Sequence, residues 1–131
     1  MNCLVAFLLI ITLSFKFNEA FRDCEILFQN QLGPGTNLTV SCESNKEDRK
    51  EGAVKFNGTP VRINFREAVF ERTLWFCLLQ HGAYSQYYRA YRGRIPIPRF
   101  GEKRLYIARP DGIYLSKNAN PELFDQPWKK N

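Results

Sequence analysis

Histidine is almost missing: His81 is the only one in 131 residues. Two-histidine ribonuclease chemistry and any metal centre built on several imidazoles are thereby excluded. A serine nucleophile would need that one histidine, a third group to orient it and a sharp turn to carry the serine, yet no G-x-S-x-G occurs. Paired-carboxylate hydrolysis fares no better. Glu67 and Glu71 sit beside Arg66 and Arg72, a setting for solvated ion pairs. The run Glu43–Glu51 mixes its acids with Lys46, Arg49 and Lys50, whereas a calcium loop wants oxygen ligands without cations between them. That run is expected to be a polar surface loop. Also lacking are an internal repeat, a low-complexity segment and an apolar run of the roughly twenty residues that a bilayer-crossing helix needs. No enzymatic activity and no cofactor are expected.

The longest apolar run present is Cys3–Phe15, followed by Lys16 and Asn18-Glu19-Ala20. Its length and its small residue at the end suit a secretory signal peptide over residues 1–20, cut after Ala20. The mature chain would then be Phe21–Asn131, enough for one domain, extracellular and without a transmembrane segment. An oxidising route makes a disulfide the default use of Cys24, Cys42 and Cys77. Cys42 is expected to pair with Cys77, leaving Cys24 as a thiol or as a link to a partner. Charge is uneven. Arg89, Arg92, Arg94, Arg99, Lys103, Arg104 and Arg109, against Glu102 alone, account for the whole net charge of +6. One end of the domain should therefore be positive and favour an acidic partner.

Period two dominates the rest. Leu38, Val40 and Cys42 alternate with Thr39, Ser41 and Glu43, and Val61, Ile63 and Phe65 alternate with Arg62, Asn64 and Arg66. Such alternation marks half-buried strands. Glu25–Asn30 is a shorter strand of this type; Tyr84–Arg92, Arg104–Ala108 and Ile113–Ser116 complete the set. Leu74–Leu79 is apolar on both faces, as for a central strand covered on two sides. Gly33-Pro34-Gly35 reads as a loop, Asn57-Gly58 and Asp111-Gly112 as type I′ hairpin turns, and Pro96 and Pro98 as ladder breakers. Asn120-Pro121-Glu122 hints at one helical turn. The expected fold is all-β: an antiparallel, immunoglobulin-like β-sandwich of about seven or eight short strands.

Two N-x-Thr sequons, at Asn37 and Asn57, can accept glycans in a secreted chain. The cluster Tyr84, Tyr87, Tyr88, Arg89, Tyr91, Arg92, Arg94 could in principle stack bases. In a secreted sandwich it reads better as a strand with an aromatic face buried and a basic face wet. Nucleic acid is not an expected partner.

Several blocks together resemble the plant self-incompatibility protein family, also called the S-protein homologues. They are Phe28-Gln29-Asn30 before a Gly-rich loop, Leu38–Ser44 before a charged stretch with Asp48, Val61–Phe65, Phe70-Glu71-Arg72-Thr73-Leu74-Trp75-Phe76-Cys77 and Asp111-Gly112-Ile113-Tyr114-Leu115. The resemblance runs from Cys24 to about Leu115. It implies a small secreted β-sandwich without enzymatic activity; the founding role is a stigma-borne signal that rejects self pollen. The family usually carries a second cysteine pair before the terminal Asp-Gly block. Here Phe100–Arg104 and Tyr106 stand there instead, so Cys42 and Cys77 are the surviving pair.

The expectation is a secreted, glycosylated, monomeric recognition protein that meets an extracellular receptor or an acidic cell-surface partner. Its contact surface is expected to be Arg89, Arg92, Arg94, Arg99, Lys103 and Arg104. The alternatives are a defence protein acting on microbial membranes and a binder of cell-wall polyanions.

Overall fold

The computed structural model describes residues 24–66, 72–93 and 101–131. Residues 1–20, expected to be a leader, and Glu67, Glu71, Arg94, Pro96, Pro98 and Arg99 lie outside the described residues. Ten strands occur among the described residues: β1 (Cys24–Asn30), β2 (Leu38–Ser44), β3 (Arg49–Val54), β4 (Val61–Phe65), β5 (Leu74–His81), β6 (Tyr84–Arg92), β7 (Lys103–Arg109), β8 (Gly112–Lys117), β9 (Leu123–Gln126) and β10 (Lys129–Lys130). They form two five-stranded sheets, in the orders β4-β1-β7-β8-β9 and β10-β6-β5-β2-β3.

Alternation places the core between the sheets. Leu38, Val40 and Cys42 of β2 and Val61 and Ile63 of β4 point inward, while Thr39, Ser41, Glu43, Arg62 and Asn64 face solvent. Aromatic rings fill the middle: Phe28 stacks on Tyr106 at 5.6 Å, and Tyr88 meets Tyr106 edge-on at 5.3 Å. Burial pushes the Tyr106 phenol up to about 12, and its hydroxyl donates to the Ala90 carbonyl at 2.5 Å. Beside the core, Asn30 is 1% exposed and holds the Gly33-Pro34-Gly35 loop. Its amide donates to the Thr36 and Val54 carbonyls, and its oxygen accepts from Leu32 N–H.

Cys42 and Cys77 are directly opposite in the β2–β5 ladder and are disulfide-bonded, 35 residues apart in sequence. Cys24 is not in a disulfide and is fully buried, its sulfur 3.6 Å from the Tyr91 hydroxyl. Burial there closes the sulfur to a partner chain.

Several expectations change. The sheets are not wholly antiparallel: β1 and β7 run parallel, Glu25 against Lys103 through Asn30 against Ala108. Alternation assigns faces but carries no direction, and a long connection leaves either direction open. Both ends of the Glu43–Glu51 run are strand, not loop: Glu43 and Ser44 finish β2, and Arg49 to Glu51 begin β3. β3 buries only Val54 and pairs on one side with β2, so its charges guard a sheet edge. Asn57 has φ 55° and Gly58 N–H reaches the Lys55 carbonyl at 2.8 Å, but this turn passes from one sheet to the other and makes no hairpin. At Asp111-Gly112 the hairpin is present, with Arg109 opposite Gly112. Its loop is Pro110-Asp111, and the proline ring forbids the positive φ of a type I′ turn. That geometry appears instead at Asn118 and Ala119 (φ 51° and 62°), closed by Asn120 N–H to the Lys117 carbonyl.

The expected helical turn at 120–122 is replaced by a strap. β9 extends the first sheet and β10 the second, so the tail crosses from one to the other and closes one side of the sandwich. Trp128 fastens the crossing, its indole N–H on the Arg109 carbonyl at 2.7 Å and its ring edge-on to His81 at 4.3 Å. Tyr84 stacks on the same imidazole at 5.4 Å. Burial lowers the His81 pKa below the ordinary 6.5, so the folded protein holds the neutral ring. The proton then binds the unfolded chain more readily. Stability from this site is complete above about pH 6.5 and falls as acid is added, down to the depressed folded value. The urea midpoint should drop between neutral pH and pH 5, and His81→Phe should remove part of that drop. An identical pH profile in the variant would clear His81 of the effect.

Candidate functional site

The described ladders bring one set of strand ends together. In the first sheet Cys24 lies opposite Phe65, Glu25 beside Lys103 and Arg104 opposite Lys117. In the second, Ser44 lies opposite Trp75 and Leu74 opposite Arg92. The two sets stack at the same pole, because Phe65 packs on Trp75 at 5.8 Å and on Tyr91 at 4.7 Å. On the side away from the tail strap, the edge strands β3 and β4 border an open cleft of about 460 Å3. Lys46, Arg49, Lys50, Arg62 and Arg66 line it, and Asp48 is the only acid among its described lining residues. Arg49 is 3.8 Å from Glu43, and Arg62 is 3.6 Å from Glu25, both acids lying outside the cleft lining. Exposed pairs of that length hold little energy and leave the positive field largely intact.

The expected contact residues are divided by the fold. Arg89 and Arg92 are exposed on the outer face of the second sheet. Strict alternation would have turned one of them inward. The register shifts between Trp75 and Phe76, so that Trp75 faces Tyr91 while Phe76 faces Arg89; Ala90 is the extra residue. Tyr91 goes in and both arginines stay out. Lys103 is exposed on the first sheet, near Asn118, whose side-chain oxygen accepts from its backbone N–H. Arg104 does not belong to a contact surface. It is 8% exposed, shares the inward parity of Tyr106, bonds Glu102 at 3.0 Å and donates to the Ala90 carbonyl at 2.8 Å. Its guanidinium also lies over the Tyr91 ring. Arg94 and Arg99 are outside the described residues.

A second surface was not foreseen. The outer side of β5 is uncovered, contrary to the two-sided burial read from Leu74–Leu79: Phe76 and Leu78 are half-buried there. Tyr87, 56% exposed, stacks on Phe76 at 6.1 Å. Arg49 borders both this face and the cleft. Both sequons lie toward the opposite pole. Asn37 precedes the far end of β2, about 20 Å from the cleft, and Asn57 N–H bonds the Asn30 carbonyl at the far end of β1. Asn37, Thr39, Asn57 and Thr59 are all exposed.

Comparison with known proteins agrees with this architecture. The family model described as plant self-incompatibility protein S1 matches residues 25–128. The chain belongs to the plant self-incompatibility protein S1 family. S-protein homolog 14 of Arabidopsis thaliana is 34% identical over 99% of this chain and 99% of its own length. S-protein homolog 30 of the same plant is 35% identical over 83% of this chain and 88% of its own. A solved structure of SPH (self-incompatibility protein homologue) proteins, described as a widespread family of small, highly stable, secreted proteins from plants, superposes with a TM-score of 0.68. It is 26% identical and covers 83% of this chain and 96% of that one.

Membership of the S1 family does not by itself identify the binding surface. The signal that could have located the cleft was divided among three stretches, Lys46–Lys50, Arg62–Arg66 and Thr73–Trp75, each of which looks ordinary alone.

Proposed function

We propose that this S1-family chain is a secreted, non-enzymatic recognition protein that meets an acidic extracellular receptor through its positive pole. In this reading residues 1–20 are the leader that exports it. One observation carries the proposal: cations from separate strands converge on one pole around the cleft, with Arg92 and Lys103 at the same end. A one-sided field of this kind speeds encounter with an acidic surface more than it deepens affinity. The sequons at the far pole support it as well, since glycans on Asn37 and Asn57 would leave the positive end open.

The test is association of the secreted glycoprotein with plant protoplasts, which lack wall polymer, at low and moderate salt. Neutralising Lys46, Arg62 and Arg66 together to glutamine should slow association about tenfold at low salt and flatten the salt dependence. Enzymatic removal of glycans should leave the rate unchanged. An unaltered rate and salt slope in the triple variant would remove the pole from the proposal.

A further inference from the structure

The cleft has a floor unlike its rim. Thr73 and Trp75 are 2% and 3% exposed, and both line it. Among the described residues, the buried Thr73 hydroxyl and Trp75 indole nitrogen have no hydrogen-bond partner. Buried polar groups are nearly always paired, and an orphan asks for an explanation. Here two orphans fall two residues apart, Thr73 just before β5 and Trp75 within it, both turned inward under one cluster of cations. An indole N–H can only donate. What completes it must therefore be an acceptor, and the cations above favour an acceptor bearing negative charge.

The rim also limits what kind of molecule brings that acceptor. Ile63 and Trp75 are buried and Phe65 packs into the core, so the described apolar lining offers no exposed anchor. Protein partners concentrate their binding energy on such anchors. A ligand rich in hydroxyls and carboxylates needs none. The volume of about 460 Å3 suits a small part of an extended chain.

We propose that the cleft between β3 and β4 binds a carboxylate of an acidic sugar chain, a uronate polymer, with Thr73 and Trp75 donating from the floor, directly or through one water, and Arg62 and Arg66 closing on it from the rim. This rests on the positive pole being the binding surface and specifies what one part of it holds.

The experiment uses the full secreted protein and short galacturonate oligomers. The chain has two tryptophans, and Trp128→Phe leaves Trp75 as the only indole reporter. Galacturonate should change Trp75 emission saturably. Thr73→Val, and separately Arg62→Gln with Arg66→Gln, should each weaken binding about tenfold, the loss of one good polar contact. Trp75→Phe keeps the ring without its N–H; followed by calorimetry, it should weaken binding similarly if Thr73→Val fails to fold. Polyglutamate of matched charge is the control. Equal affinity for polyglutamate, with no effect of Thr73→Val or Trp75→Phe, would show charge attraction alone and overturn the site. No galacturonate binding, with protoplast association intact, would overturn the site and leave the receptor proposal standing. Loss of both would defeat the pole itself.

Discussion

Arg104→Ala is expected to lower the unfolding free energy by about 3–5 kcal/mol, the usual cost of removing one partner from a buried ion pair. The side chains of Arg104 and Glu102 are 9% and 7% exposed and 3.0 Å apart. Arg104 also spans the two sheets, since it starts from β7 and donates to the Ala90 carbonyl of β6. Ala90 is the extra residue that turns Tyr91 inward and Arg92 outward. Truncating Arg104 thus removes a counter-charge and loosens the bulge at the same time. Arg104→Met combined with Glu102→Leu should recover most of the loss, because a well-packed apolar pair avoids the desolvation penalty. Urea unfolding at constant slope measures both. A single-variant loss below about 1 kcal/mol would mean that water screens the pair.

Opening the Cys42–Cys77 bond is expected to be comparably severe. For a sequence separation of 35, chain entropy predicts about 4 kcal/mol. The two cysteines are already ladder neighbours, so the bond adds little order to the native state and acts mainly on the unfolded chain. Cys24 supplies no second bridge, being buried against Tyr91. Cys42→Ala with Cys77→Ala should lower the denaturant midpoint accordingly, and Cys24 should react with a thiol reagent only after unfolding. A double variant with an unchanged midpoint would show that the unfolded chain is already compact without the bond.

Much of the fold is legible residue by residue. Leu38-Thr39-Val40-Ser41-Cys42 shows its two faces in the sequence because successive strand side chains point oppositely, which depends on nothing remote. Arg104 was also within reach: it alternates with Tyr106 and Ala108, an inward series into which a guanidinium fits only with a partner such as Glu102. β3 was not legible, since an edge strand needs one neighbour and little apolar surface, and Arg49-Lys50-Glu51 resembles a loop until Leu38–Glu43 is beside it. β9 and β10 are likewise strands only because the edges of two sheets await them.

Charge behaves differently from burial. Along the chain, Lys46–Lys50 and Arg62–Arg72 each carry a single net positive charge, and the larger excess sits at 89–109. In space, Arg104 is neutralised inside while Lys46, Arg49, Lys50, Arg62 and Arg66 gather at one cleft. The chain alone indicated most strand faces and the family, because these depend on local pattern, and it offered few cysteines from which to choose a pair. Which cations meet, and which polar groups lie unpaired beneath them, was decided only by stacking two sheets, because an electric field sums over distance in space and takes no account of sequence order.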